Sequence, residues 1–287
     1  VSMLPPLPDI MLEPLVRAGL LEDLGRGGDL TTNAVLKGSE RIRVSLRCRE
    51  KGVLAGLDLA RLSFHLMDPS LLFERLKVEG AHLEPGDVVA VVEGSARSIL
   101  TGERVGLNFL SHLSGIATAT ADIVASMAGT KARLCCTRKT LPGLRAVQKY
   151  AVRAGGGISH RMGLDDAILI KDNHIALVGS VQEAVARARK AAGHMVKIEV
   201  EVDTPDQLQE VLAGEAVDAV LLDNMPVPVL RTCVEMINGR LLMEASGGIT
   251  PQTAAAIAQT GVDLLSVGWL THSVRSLDFG LDFEKTL

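Results

Sequence analysis

The chain has 287 residues, 47% of them hydrophobic and 22% charged, with a formal net charge of −4. That composition belongs to a globular protein of about two domains and excludes a predominantly disordered chain. Mild acidity and a 2% aromatic content exclude a bulk nucleic-acid surface and a base-stacking platform.

In chain order, residues 9–24 read as a helix with apolar positions at Ile10, Leu12, Leu15, Val16 and Leu20. EDLGRGGDLTT (22–32) breaks it. RIRVSLRC (41–48), GVLAG (52–56) and DVVAVVEG (87–94) read as short strands separated by turn residues such as Pro85-Gly86-Asp87. The apolar-periodic stretch 101–129 predicts a buried helix or helix pair that bridges two domains. No run of 18 apolar residues reads as a membrane span, and VSMLPPLPDI has no secretory-signal pattern. Cys48, Cys135, Cys136 and Cys233 form no C-x-x-C pair, so reduced thiols in a cytoplasmic protein are expected.

From about residue 133 strands and helices alternate. The strands are ARLCCTRK (132–139), AILIKDN (167–173), KIEVEVD (197–203), AVLLDN (219–224), LLMEASGG (241–248) and LLSVG (264–268). The helices include 144–154, 181–192, 205–213 and 251–261. This alternation predicts a parallel sheet covered by helices, and with no dinucleotide fingerprint a barrel is expected rather than a Rossmann sheet. KIEVEVD puts Ile198, Val200 and Val202 on one face and Lys197, Glu199, Glu201 and Asp203 on the other. A polar face fits a barrel interior that opens into a polar site; an exposed edge strand is the alternative.

Charge is unevenly distributed. Residues 131–171 hold nine basic residues and two acids, or +7, so against −4 for the whole chain the remainder carries −11. Such a patch in an acidic chain predicts a small polyanionic ligand. Arg145, Lys149 and Arg153 recur at i, i+4 and i+8 and read as a solvated helix face. Arg138, Lys139 and Lys171 instead sit at predicted strand ends, where β/α barrels build their sites. His160 and Arg161 follow Gly155-Gly156-Gly157 and are placed to fold over the mouth. Glu201 and Asp223 end neighbouring strands. They can hold Mg²⁺ beside phosphates, steady a cationic sugar carbon, or only neutralise Lys139 and Lys171. Ser246-Gly247-Gly248 before Thr250-Pro251 reads as a phosphate cup at a helix start, with Gly268 on the next strand end.

Cations for carboxylates, acids for an oxocarbenium ion or metal, and a phosphate cup together fit phosphoribosyl transfer to a polycarboxylate. These residues alone leave other barrel chemistries on phosphorylated substrates open. The runs GERVGLNFLSHLSGIATAT, TRKTLPGLR, GGGISHR, IKDNH, EVEVD, LLDNM and EASGGIT, with EDLGRGGDLTT and GVLAG before them, resemble the quinolinate phosphoribosyltransferase family over nearly the whole chain. The resemblance implies an α/β fold: an N-terminal α+β sandwich domain (1–113, with the tail 272–287 packing on it) and an incomplete TIM-like β/α barrel (114–271). It implies that quinolinate and phosphoribosyl pyrophosphate give nicotinate mononucleotide, pyrophosphate and CO₂ with Mg²⁺, on the de novo route to NAD. It implies a homodimer or dimer-based oligomer.

By motif match, Arg104 (from the partner subunit), Thr137, Arg138, Lys139, His160, Arg161 and Lys171 would bind quinolinate and adjacent phosphate. Glu201 and Asp223 would sit at the ribose and at Mg²⁺–pyrophosphate, and Ser246, Gly247, Gly248 and Gly268 would hold the 5′-phosphate. Lys139, Lys171, Glu201 and Asp223 would form the catalytic group. The alternatives are a paralogous transferase or molybdenum-transport-associated relative with another acceptor, a Schiff-base aldolase using Lys171, and a non-catalytic barrel that senses a phosphorylated metabolite.

Overall fold

The computed structural model describes residues 4–283. In chain order the elements are α1 (Asp9–Leu24), α2 (Leu30–Val35), β1 (Arg41–Cys48), β2 (Gly52–Val53), α3 (Leu57–Met67), β3 (Leu72–Arg75), β4 (His82–Leu83), β5 (Val88–Ser95) and α4 (Ala96–Ser126). They continue as β6 (Arg133–Cys135), α5 (Arg145–Ala154), β7 (Ile168–Ile170), α6 (Asp172–Val178), α7 (Val181–Ala191), β8 (Ile198–Val202), α8 (Pro205–Ala213) and β9 (Ala219–Asp223). The last are α9 (Val227–Ile237), β10 (Leu242–Ser246), α10 (Pro251–Ala258), β11 (Leu264–Ser266) and β12 (Phe279–Phe283), with a 3₁₀ turn Trp269–Thr271 before β12. None of the described helices is long and apolar enough to cross a membrane.

The chain divides into two compact units. The first comprises Val1–Ala121, Leu141–Gly156 and Ser273–Leu287, of which residues 1–3 and 284–287 lie outside the described residues. Its antiparallel sheet runs β12-β1-β5-β3. Alternation along β1 turns Val44, Leu46 and Cys48 inward, where they share one core with Leu57 and Phe64 of α3 and Ile99, Leu107 and Leu110 of α4. Where α3 meets α4, the Ser63 hydroxyl donates to the Gly102 carbonyl at 2.7 Å. The stretch expected as a helix or helix pair is the single helix α4. Of GVLAG only Gly52–Val53 is strand, and its last residues lead into α3. The glycine break after α1 also contains a helix the sequence did not announce: the Asp29 carboxylate accepts from Thr32 N–H at 2.9 Å and starts α2.

The expectation of a solvated stripe on α5 is wrong at its centre. Lys149 is 1% exposed, and the Arg153 guanidinium lies over the Tyr150 ring at 5.5 Å. A cation stripe at helical spacing looks the same whether it faces water or sinks its stems among apolar neighbours.

Glu79 caps α3 from outside its own helix. Its carboxylate accepts from Gly56 N–H at 3.0 Å and Leu57 N–H at 2.8 Å, in a niche lined by Leu12, Leu59, Val147 and Tyr150. Burial pushes its pKa up to about 7, against the opposing pull of those N–H groups. Between its ordinary value of 4.5 and about 7, the folded chain holds a proton that the unfolded chain has lost. The Glu79 contribution to stability therefore falls as pH rises through this window and levels off above it. Glu79→Gln is expected to flatten that loss by about 1–3 kcal/mol when urea unfolding at pH 5 and pH 8 is compared. An unchanged slope refutes the assignment.

The second unit comprises Asp122–Thr140 and Gly157–His272. Its six strands are all parallel, in the order β6-β11-β10-β9-β8-β7. The expected alternation is present, and α6 and α9 join the helices expected between strands. Ser180, Thr204 and Thr250 cap α7, α8 and α10. The predicted Thr250-Pro251 start of α10 is observed, with Thr250 Oγ1 accepting from Thr253 N–H at 3.3 Å. A bridge between Cys135 and Ile158 lays the segment after Gly157 beside β6.

Candidate active site

Because all six strands run the same way, their C-terminal ends gather on one edge of the sheet. Period-two alternation then turns i, i+2 pairs to one side: Leu169 and Lys171, Glu199 and Glu201, Leu221 and Asp223, Glu244 and Ser246. Thr137, Arg138 and Lys139 follow β6, and His160 and Arg161 follow the bridge at Ile158. Together with Ser266 of β11 these side chains line a pocket of about 370 Å³, Glu199 lying beneath it against His160.

The sequence therefore named most of the pocket. Thr137, Arg138, Lys139, His160, Arg161, Lys171, Glu201, Asp223 and Ser246 all line it. Gly247 and Gly248 continue from Ser246, both with positive φ, and Gly268 lies against the Lys139 side chain. Arg104 is exposed on α4 in the first unit and is not among the lining residues.

Charge in the pocket is matched in part. Lys171 Nζ is ion-paired with Glu201, whose side chain is 12% exposed. The Lys139 backbone is fixed at both ends: its N–H donates to Thr137 Oγ1 at 3.0 Å, and its carbonyl accepts from Thr271 Oγ1 at 2.8 Å. Arg161 donates to the Ala167 carbonyl at 3.1 Å; burial, then the like charge of Arg138, lowers its guanidinium pKa. Arg138 Nε is buried with no hydrogen-bond partner among the described residues. A buried guanidinium N–H in that state is costly unless an acceptor arrives, and a carboxylate or phosphate is the natural one.

Beneath the cations lies a cluster that sequence reasoning did not assign. His160 Nδ1 accepts the Arg161 backbone N–H at 2.7 Å, which puts the ring proton on Nε2. Nε2 then faces Glu199 at 3.0 Å and Glu244 at 3.5 Å. Burial first, and the Glu199 charge second, push the Glu244 pKa up to about 7. One ligand atom from each of the three residues lies within 4.8 Å of the others, so the cluster could hold a metal ion. The signal for Glu199 is the polar face of KIEVEVD. Glu244 is a lone acid in an apolar strand, and only the register of β10 beside β9 and β11 reveals where it points.

The comparisons with known proteins agree with this geometry. The model of the quinolinate phosphoribosyl transferase C-terminal domain matches residues 116–282, and that of the N-terminal domain matches residues 29–114. A nicotinate-nucleotide pyrophosphorylase (carboxylating) of Mycobacterium leprae is 48% identical over 275 residues, covering 93% of this chain and 95% of its own. The crystal structure of NadC from Streptococcus pyogenes superposes with a TM-score of 0.91 at 42% identity, covering 98% of this chain and all of that one. The nicotinate-nucleotide pyrophosphorylase of Francisella tularensis gives a TM-score of 0.93 at 36% identity, covering 99% and 100%. With both domain models in chain order and the strand-end cations and acids gathered in one pocket, the chain belongs to the quinolinate phosphoribosyltransferase family.

Proposed function

We propose that this protein transfers the phosphoribosyl group of phosphoribosyl pyrophosphate to quinolinate, with loss of CO₂, giving nicotinate mononucleotide and pyrophosphate in NAD biosynthesis. The observation that carries this reading is a single pocket with four cations, Arg138, Lys139, Arg161 and Lys171, facing two strand-end carboxylates, Glu201 and Asp223. Quinolinate is a dianion, and planar guanidinium groups bind carboxylates in pairs. The ring nitrogen attacks the ribose carbon as pyrophosphate leaves, through a loose and cationic transition state. Glu201 and Asp223 would stabilise that charge in a site shielded from water. The new pyridinium nitrogen accepts the electrons released as the adjacent carboxylate departs, and the ring carbon takes a proton. No protein nucleophile is needed.

In this reading Thr137, His160 and the four cations address quinolinate and neighbouring phosphate, and Ser246, Gly247, Gly248 and Gly268 hold the 5′-phosphate. Mg²⁺ is assigned to Glu201 and Asp223 rather than to the His160 cluster. It prefers oxygen ligands and keeps waters and substrate phosphates, whereas the cluster offers an imidazole and a carboxyl that tends to keep its proton. Bound there, the ion would neutralise the leaving pyrophosphate. We further assign an incomplete β/α barrel to the second unit and a sandwich to the first, supported by the sheet orders. A dimer in which the partner subunit's Arg104 completes the site is supported by that side chain's exposure on α4. A cytoplasmic setting is supported by four buried cysteines, none of them in a disulfide.

The test is purified protein with phosphoribosyl pyrophosphate, Mg²⁺ and either quinolinate or nicotinate, read by mass spectrometry. Nicotinate mononucleotide from quinolinate alone is expected; product from neither acceptor, or from nicotinate alone, overturns the reading. Arg138→Ala is expected to raise the quinolinate KM about 10- to 100-fold, the worth of one or two charge-assisted hydrogen bonds. An unchanged KM removes Arg138 from the acceptor site.

A further inference from the structure

The residue after Asp223 is Asn224, one of two non-glycine residues with positive φ among those described, at 53°. Asparagine tolerates this left-handed conformation better than most residues, but it is still held there by its surroundings. Its backbone N–H donates to the Ser246 carbonyl at 2.9 Å, which carries the β9–β10 pairing one residue beyond the Asp223–Ser246 register. Its side-chain Nδ2 donates to Asp223 Oδ2 at 2.7 Å. An ionised carboxylate only accepts, so the amide nitrogen must face Asp223 and Oδ1 must face the other way.

What Oδ1 faces is Gly247. A β-carbon on Gly247 would overlap Asn224 Oδ1 and come within 3.0 Å of Asn224 N. Gly247 also has φ 91° and Gly248 φ 60°, so the Ser246–Gly248 turn is shaped both by its own backbone and by the side chain pressed into it. One amide therefore bridges two strand ends, touching the acid on β9 and the glycine turn on β10.

We infer that Asn224 is a positioning residue that holds the Asp223 carboxylate and the Ser246–Gly248 turn as one block, and so governs binding of the phosphoribosyl donor rather than of the aromatic acceptor. The inference rests on the assignment of Asp223 and that turn to the donor. Asn224 itself need not touch substrate. Its bond engages Asp223 Oδ2, and its bulk sets how far the turn lies from the acid. The quinolinate cations, which follow β6, β7 and the Ile158 bridge, lie outside this block.

The test is Asn224→Gly in the full-length protein. Glycine keeps the left-handed backbone and removes both side-chain contacts. Calorimetric titration with phosphoribosyl pyrophosphate and Mg²⁺ is expected to show about a tenfold loss of affinity, the worth of one charge-assisted bond. Quinolinate affinity should move less than about twofold, since a group remote from a ligand's contacts leaves its binding nearly unchanged. Gly247→Ala strikes the same contact from the other side and should give the same donor-selective loss, and the double variant should lose less than the two singles together. Donor affinity equal to wild type in Asn224→Gly overturns the inference, as does equal weakening of both substrates with a lowered Tm. A wild-type protein that turns over neither acceptor and binds no phosphoribosyl pyrophosphate overturns the functional reading and this inference with it. A wild-type protein that works, beside a variant that matches it, overturns the inference alone.

Discussion

Glu201→Ala is expected to lower kcat by about two orders of magnitude or more while the Michaelis constants of both substrates move far less. Glu201 is placed for this by strand geometry: it shares the polar face of β8 with Glu199, sits at the strand end and is 12% exposed. Its charge is therefore poorly screened by water and strongly felt by a sugar carbon that becomes cationic only in the transition state. Its ground-state partner is Lys171. Removing the acid frees that ammonium for a substrate carboxylate, so the quinolinate KM should hold or fall rather than rise. Glu201→Gln keeps the volume without the charge and should lose nearly as much turnover. Steady-state and single-turnover kinetics separate these effects, and an unaltered kcat refutes the role.

Gly115→Ala is expected to destabilise the first unit by about 2–4 kcal/mol, although alanine is the better helix former. Gly115 lies in α4 where the chain segment 275–277 crosses it. A methyl group there would overlap the Arg275 carbonyl oxygen and come within 3.1 Å of the Arg275 carbonyl carbon and 3.2 Å of Ser276 Cα. These are backbone atoms and cannot rotate aside. The crossing is pinned as well: Leu277 N–H donates to the Ser111 carbonyl at 2.9 Å, and Asp278 N–H to Glu50 Oε1 at 2.8 Å. Gly106 on the same helix is the control, because a methyl there meets Ser63 and Ala60 at 3.4–3.5 Å, ordinary contact. Urea unfolding should therefore separate the two variants; equal stabilities would show that the crossing segment yields.

How much of this was legible depended on whether the controlling interaction was local. The strands of the second unit were readable from apolar runs bounded by turn residues, and Thr250-Pro251 marked a helix start by its own chemistry. The polar face of β8 was readable from alternation. What alternation could not tell was the difference between Glu201, which meets a lysine, and Glu199, which meets a histidine 39 residues away. Glu244 and Asn224 escaped for the same reason, since each acquires its role from a neighbouring strand. Lys149 was misread because helical spacing records which residues share a stripe but not what covers it. β3 and β12 escape a sequence reading because LFER shows no clean apolar alternation, and the pairing of both strands is set by β5 and β1 elsewhere in the chain.

The pairing of β12 with β1 also sets a timetable for synthesis. β1 is flanked by β5 on one side and by β12 on the other, and the Arg47–Asp282 ion pair joins residues 235 positions apart. At roughly 5–20 residues per second, a ribosome needs on the order of 10–50 s to cover that distance. Throughout that interval the nascent first unit carries a strand with an unpaired backbone edge, the kind of edge that templates association with other chains. The second unit, whose strands all fall between 133 and 266, is complete before the strand that closes the first emerges. The first unit, although begun earlier, thus completes its sheet only after the second unit's strands have been made.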